Sequence, residues 1–299
     1  MQKNSVKNTG MLLLAAMIWG FAFVAQSTGM NYVGPFTFNA VRSFMGSLVL
    51  FPVAFLGKPE YRLKRMTKEK KKELLMAGSS CGILLGTATN LQQIGIMTTS
   101  VGKAGFLTAL YIVLVPIVGL FFKRKCGGNV WIGVACSLVG LYLLCMTENT
   151  LGIAIGDIYL LGCAVVFTFH ILVIDHFAPK VNGVQMSCIQ FLVAGILSSV
   201  FMFLLETPSL SSIWEAKLPL LYAGVLSSGV AYTLQILGQK NYNPTIAVLI
   251  LSLESSFSVL GGFLILGERL STKEFLGCIL MFVAIILAQL PNKKCLSVT

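Results

Sequence analysis

The chain has 299 residues, of which 56% are hydrophobic and 11% charged, with a mean hydropathy of +0.84 and a net charge of +11. A soluble domain carries about 25% charged residues, so this chain lacks the polar surface to cover a water-soluble globule and reads as a polytopic membrane protein. The positive balance does not point to nucleic acid, because the basic residues sit in short segments between apolar runs, the pattern of the positive-inside rule.

In chain order, ten apolar runs are predicted, at roughly 10–28, 35–56, 74–97, 102–122, 129–146, 154–174, 184–205, 218–238, 244–266 and 273–290. Each approaches the ~20 residues that a membrane-crossing helix needs. The expected fold class is therefore an all-α membrane protein with ten transmembrane helices. The first run follows Lys3 and Lys7, which superficially resembles a signal peptide. No small-residue cleavage pattern follows and many further spans do, so an uncleaved first span is expected. The loops are short and leave no room for a separate soluble domain. Cys81, Cys136, Cys145, Cys163, Cys188 and Cys278 lie within apolar runs and Cys126 and Cys295 in loops or tails. Cysteine in such runs behaves as a small hydrophobe, and with no C-x-x-C pair a structural zinc site is not expected.

Loop charge predicts the orientation. With the N-terminus inside, the cytoplasmic segments hold Lys3, Lys7, Lys58, Arg62, Lys64, Arg65, Lys68, Lys70, Lys71, Lys72, Lys123, Arg124, Lys125, Lys180, Lys240, Lys293 and Lys294. The outer segments hold Lys103, Lys217, Arg269 and Lys273, and Arg42 lies within a span. The imbalance predicts both termini in the cytoplasm, in a multi-pass protein of the plasma membrane.

The chain is also read as an internal repeat. A shift of 143 residues brings Gly86, Ala88, Leu91, Gln92 and Gly95 onto Gly229, Ala231, Leu234, Gln235 and Gly238, and Ala104 and Gly119 onto Ala247 and Gly262. A shift of 148 brings Ala16 onto Ala164, and one of 144 brings Gly133 onto Gly277. Residues 1–150 and 151–299 are thus expected to be two five-span copies. Five is odd, so the second copy enters the membrane inverted. Inverted repeats are the architecture of alternating-access carriers, with the substrate site near the midplane between them.

With these residues in view, the chain resembles the drug/metabolite transporter superfamily, in its EamA-type ten-span carriers. The resemblance rests on Ile18-Trp19-Gly20-Phe21, on Pro35 followed by Arg42, on Gly86 through Gly95, and on Leu266-Gly267-Glu268-Arg269-Leu270. It implies export or exchange of amino acids and other small metabolites. It also implies a cavity lined by spans near the repeat interface, with spans five and ten peripheral. Two features depart from the family pattern. Lys123-Arg124-Lys125 stands where a Gly-Glu pair is common, and Ser255 where proline often follows the mid-span position.

The candidate substrate-binding residues are polar or aromatic groups at membrane depth. Glu254 stands near the middle of the ninth span, on a face with Ala247, Leu251, Ser258 and Gly261. A charged residue there costs at least ~2.5 kcal/mol, so it faces a cavity or a partner. Its plainer reading is a carboxylate bonded to a neighbouring helix. Arg42 would pair with Glu254 or receive a substrate carboxylate; the plainer reading is snorkelling to the nearer interface. His170 titrates near neutral pH when unperturbed, though a hydrogen-bonded core histidine reads as well. Asn90 and Gln92 in span three and Tyr232 and Gln235 in span eight form polar clusters that serve either ligand or helix packing. Tyr111 is the repeat counterpart of Glu254 by the 143-residue shift, and Trp19 completes the set. Gly78-Ser79-Ser80-Cys81-Gly82 is formally a hydrolase elbow, but it lies in an apolar helix rather than a strand-to-helix turn. With Gly86 it reads as a small-residue packing stripe.

The expected function is secondary transport of a small polar metabolite, an amino acid or a related compound, by alternating access and in the export direction. The alternative is a membrane-embedded lipid-processing enzyme or a lipid-linked metabolite flippase. Converging catalytic groups are not evident, so no catalytic residue, metal or cofactor is expected, and no Walker motif is present for ATP. Expected partners are the small-molecule substrate and membrane lipids, with protons as a candidate coupling ion, a homodimer left open, and no nucleic acid.

Overall fold

A computed structural model describes residues 2–56, 66–98, 101–122, 127–145, 154–261, 264 and 271–289, with backbone alone at 2–5, 101–103, 144–145 and 289. The Leu266–Leu270 motif, Lys58, Arg62, Lys64, Arg65, Lys123, Arg124, Lys125, Arg269, Lys293, Lys294, the 150/151 boundary and the Lys103 side chain lie outside the described residues.

Every regular element described is helical. The order is α1 (Gln2–Gly29), α2 (Pro35–Phe51) with a π-helical turn Pro52–Leu56, α3 (Lys68–Thr98), α4 (Val101–Ala109), α5 (Tyr111–Phe121), α6 (Gly128–Cys145) and α7 (Ile155–Phe177). Then follow α8 (Gly183–Leu205), α9 (Leu210–Glu215), α10 (Lys217–Leu221), a π-helical stretch Tyr222–Ala231, α11 (Tyr232–Gln239), α12 (Pro244–Leu251), α13 (Glu254–Gly261) and α14 (Thr272–Gln289). Among the described residues, eight helical stretches are long and apolar enough to cross a membrane, and Gly128–Leu143 is apolar and shorter. The protein is an all-helical, multi-pass membrane protein.

Local sequence sets the helix ends. The Asn182 side chain accepts from Val184 N and Gln185 N at the start of α8, and Asn243 accepts from Thr245 N and Ile246 N at the start of α12. Both satisfy amide donors that a helix N-terminus leaves free. Pro244 and Pro35 occupy the first turns of α12 and α2, where a missing N–H costs nothing. The cap of α2 comes from another helix. Glu206, just past α8, accepts from Phe36 N at 2.8 Å, Thr37 N at 2.8 Å and Thr37 Oγ1 at 2.5 Å. At the other end of the same helix pair, Gln185 Nε2 donates to Ala54 O at 3.0 Å.

Besides the run at 35–56, which ends in the π-helical turn Pro52–Leu56, three apolar runs are not single uninterrupted α-helices. The run at 102–122 breaks at Leu110, where Leu110 N bonds Leu107 O and Val113 N bonds Leu110 O. The run at 244–266 breaks at Ser252–Leu253, with Leu253 N on Ile250 O and Ser255 N on Ser252 O. Both breaks are single turns tightened to 3₁₀-type bonding. The Ser252 hydroxyl also bonds Leu249 O at 2.8 Å, competing with the backbone for that carbonyl. The run at 218–238 is widened by the π-helical stretch. In the opposite sense, α3 begins six residues before its apolar run, because Lys68–Glu73 is built of good helix formers.

The packing is organised by α1 and α7. Helix α1 lies against α10–α11, α12 and α13; α7 lies against α3, α4 and α5; α2 and α3 both pack on α8; and α6 packs on α14. The Gly78, Gly82 and Gly86 stripe brings α3 onto α8: a Cβ at Gly82 would lie 2.7 Å from Gln190 O and 2.6 Å from Val193 Cβ. Small residues at such a seam let helix backbones approach closely. Gly20 does the same for α1 and α13, where a Cβ would meet Phe257 Cβ at 2.4 Å and Glu254 O at 2.7 Å.

Candidate functional site

Between α1, α2, α3 and α4–α5 on one side and α7, α10–α11 and α12–α13 on the other lies a narrow cavity of about 40 Å³. Trp19, Arg42, Gln92, Tyr111, Tyr232, Gln235 and Glu254 line it, all nominated from the sequence. Phe23, Gln26, Thr108, Phe167, Ile171, Ser227 and Leu251 complete the wall. Phe23 and Gln26 follow Trp19 on one face of α1, and Thr108 precedes Tyr111 by three positions, so helical spacing from the nominated residues could have found these.

The helix breaks place two of the polar groups. Tyr111 is the first residue of α5 and Glu254 the first of α13. Tyr111 Oη donates to Glu254 Oε1 at 3.0 Å. The residues that a 143-residue shift superposes in sequence thus touch each other in space. The carboxylate lies in the first turn of a half-helix, where the helix dipole favours negative charge. Glu254 is only 7% exposed.

Arg42 faces the same cavity from α2 and is 3% exposed. Among the described residues no ion pair joins it to Glu254, and its Nε has no hydrogen-bond acceptor. Its guanidinium stands 5.9 Å from the Phe38 ring, within cation–π range. Trp19 Nε1, Gln26 Oε1 and Gln235 Oε1 are also buried without a partner among the described residues. Buried polar side chains are normally satisfied, so the cavity wall presents two unused donor groups, Arg42 and Trp19, beside unused acceptors on Gln26 and Gln235. Aromatic rings share the rest of the lining with Ile171 and Leu251 and with the polar Gln92, Thr108 and Ser227. The Trp19 and Tyr232 rings pack at 4.5 Å, and Tyr111 meets Phe167 edge-on at 6.4 Å.

Asn90 and His170 do not line the cavity. Asn39 Nδ2 donates to Asn90 Oδ1 at 2.8 Å and to Thr89 O at 3.0 Å, and Asn90 Nδ2 donates to Ser198 Oγ at 3.0 Å. Asn90 therefore fastens α2, α3 and α8 together. His170 is fully buried behind the wall, its Nε2 3.3 Å from Gln190 Oε1 and its ring edge-on to Phe167 and Tyr232. No group of three or more His, Cys, Asp and Glu suited to a metal occurs among the described residues.

At the end of the bundle that carries Lys240, the start of α1 is tied to the turn between α11 and α12. Asn8 Nδ2 donates to Lys240 O at 3.0 Å, and the Thr9 and Tyr242 hydroxyls bond at 2.8 Å.

Comparison with known proteins identifies the family. The model of the EamA-like transporter family matches the chain twice, at residues 9–146 and 154–290. An uncharacterized transporter of Archaeoglobus fulgidus is 30% identical over 93% of this chain and 84% of its own length. The uncharacterized transporter YoaV of Bacillus subtilis is 22% identical, over 90% of this chain and 92% of its own. The uncharacterized inner membrane transporter YedA of Escherichia coli is 25% identical, over 94% and 90% respectively. A solved crystal structure with 18% identity superposes with a TM-score of 0.77 over 94% of this chain and 96% of its own, and so shares the fold. Matched by the family model over both stretches, this chain belongs to the EamA-like transporter family, whose members are membrane transporters and not enzymes.

Proposed function

We propose that the protein is a secondary carrier for a small zwitterionic metabolite, an amino acid or a close relative, which it exports across the plasma membrane by alternating access. The observation that carries this reading is the pair of buried, oppositely charged side chains, Glu254 and Arg42, that line one cavity without bonding each other. Two unpaired charges at membrane depth are expensive. A ligand with an ammonium at Glu254 and a carboxylate at Arg42 and Trp19 Nε1 satisfies both, and the aromatic wall accepts an apolar side chain.

The carrier mechanism rests on an architecture of ten spans in two inverted copies, residues 1–150 and 151–299, with both termini cytoplasmic. Its support is the pairing of helices. Contacts of α1 with α12–α13 have their counterpart in those of α7 with α4–α5. Contacts of α1 with α10–α11 correspond to those of α7 with α3, and α3 on α8 corresponds to the π stretch of span eight on α2. The double family match and the Tyr111–Glu254 contact support the same two-fold relation. The site then lies between the copies, where rocking exposes it to one side at a time.

Counterflow of labelled amino acids into proteoliposomes tests the proposal, with Glu254→Gln as the diagnostic variant because the amide preserves size. Loss of zwitterion binding at every pH is the expected result. Loss of proton-driven accumulation with exchange retained would instead make Glu254 a coupling residue. Wild-type transport and pH response in a well-expressed Glu254→Gln protein would remove it from the mechanism.

A further inference from the structure

Away from the cavity, the membrane-facing surface carries a second concavity. Helices α2 and α3 both pack on α8 and touch each other only slightly, which leaves a lateral groove of about 730 Å³. Leu48 and Phe51 form one wall, Leu75 the other, and Ile189 and Leu192 on α8 lie in the groove between them. The polar groups of Ser47 and Cys188 are bonded to each other across α2 and α8, with Ser47 Oγ donating to Cys188 O at 3.0 Å. They offer a ligand little. The charged exception in the lining is Lys71, half-buried at the end of the groove where α3 begins.

Lys71 stands in the run Lys68, Lys70, Lys71, Lys72, with Glu69 inside it and Glu73 after it. No ion pair holds Lys71 among the described residues. Basic pockets between helices at the cytoplasmic side of a membrane recognise anionic lipid headgroups. An apolar trough ending in a lysine matches a phospholipid in both its parts: acyl chain along Leu48, Phe51 and Leu192, phosphate at Lys71.

We propose that this groove binds an anionic phospholipid from the leaflet facing the start of α3, which is the cytoplasmic leaflet in the orientation proposed above. The site is separate from the transport cavity and stands whether or not the cargo reading does. It differs from ordinary lipid contact in selecting a headgroup and in retaining its lipid through detergent extraction.

Native mass spectrometry of the purified full chain, supplied with equal phosphatidylglycerol and phosphatidylethanolamine, tests it. The expected result is one retained phosphatidylglycerol per chain. Lys71→Gln should weaken that preference about fivefold, the effect of one basic residue at an anionic surface. Leu192→Trp, which fills the trough, should abolish retention of both lipids, and Leu75→Trp repeats the test from the opposite wall if the first variant fails to fold. Equal retention of the two lipids by the wild type overturns the proposal, as does an unchanged preference in Lys71→Gln. Equal binding of glycerol phosphate without acyl chains overturns it by showing a phosphate site alone. A dimer in place of bound lipid overturns it by giving the groove to a second copy.

Discussion

Glu254 and Asn90 are both buried polar residues in apolar helices, and their surroundings separate their roles. Glu254 accepts a hydrogen bond from Tyr111 and faces a cavity. Asn90 spends both ends of its amide on neighbouring helices. Tyr111→Phe removes a hydrogen bond to a charged group, worth about 1.5–3 kcal/mol. In the proposed carrier it should raise the transport KM by about tenfold as well as lower the unfolding midpoint in detergent. Asn90→Ala should lower the midpoint alone. It leaves the Ser198 hydroxyl without its partner and takes one of two acceptors from Asn39 Nδ2, at about 1–3 kcal/mol of stability, and leaves the KM unchanged. The two variants measured side by side separate a ligand-facing group from a helix fastener; equal effects on both readouts would contradict the division. Glu254 and Arg42 were legible in the sequence because an ionisable group inside an apolar run announces itself. His170 and Asn90 announce themselves equally, and position along the chain cannot say which helix face turns inward. Gln26 went unnoticed because a lone amide near a span's end is as compatible with loop as with cavity.

Among the elements, the helices followed from hydropathy and their interruptions did not. A break at Leu110 or at Ser252–Leu253 changes one turn of hydrogen bonding and calls for no glycine at the break, so the residues there read as ordinary helix. Pro116, five positions beyond Tyr111, withdraws a donor from α5 but does not mark the break itself. The π-helical stretch Tyr222–Ala231 is likewise silent in composition. The cap that Glu206 gives α2 is another feature that pattern could not reveal, because it joins positions 170 apart in the chain. It collects three bonds on one carboxylate. Glu206→Gln can accept through one oxygen only, and should cost about 1–2 kcal/mol, seen as a lower unfolding midpoint in detergent. An unchanged midpoint would mean that water replaces the carboxylate at no loss.

For the molecule as a whole, loop charge and the inverted two-copy reading together predict which ends face which side. Ser211, exposed in α9, belongs outside in that reading, with the Lys68–Lys72 segment inside. A cysteine placed at Ser211 in a background lacking the native cysteines should react with a membrane-impermeant thiol reagent applied to intact cells. Labelling seen only after lysis would reverse the orientation and, with it, the direction assigned to transport. The bonds from Asn8 and Thr9 to the α11–α12 turn then close the cytoplasmic end, and an inward-open state requires them to part.

At Gly20, one residue from Trp19, α1 lies directly on the backbone of α13, against the carbonyl of Glu254. No ligand need ever touch it. Yet any side chain there must push apart the two walls that carry the indole and the acid, and the gap between those walls is what a cargo molecule has to fit. In the proposed carrier, position 20 would then act as a spacer between those walls. A search for altered cargo preference confined to residues lining the cavity would pass over this position.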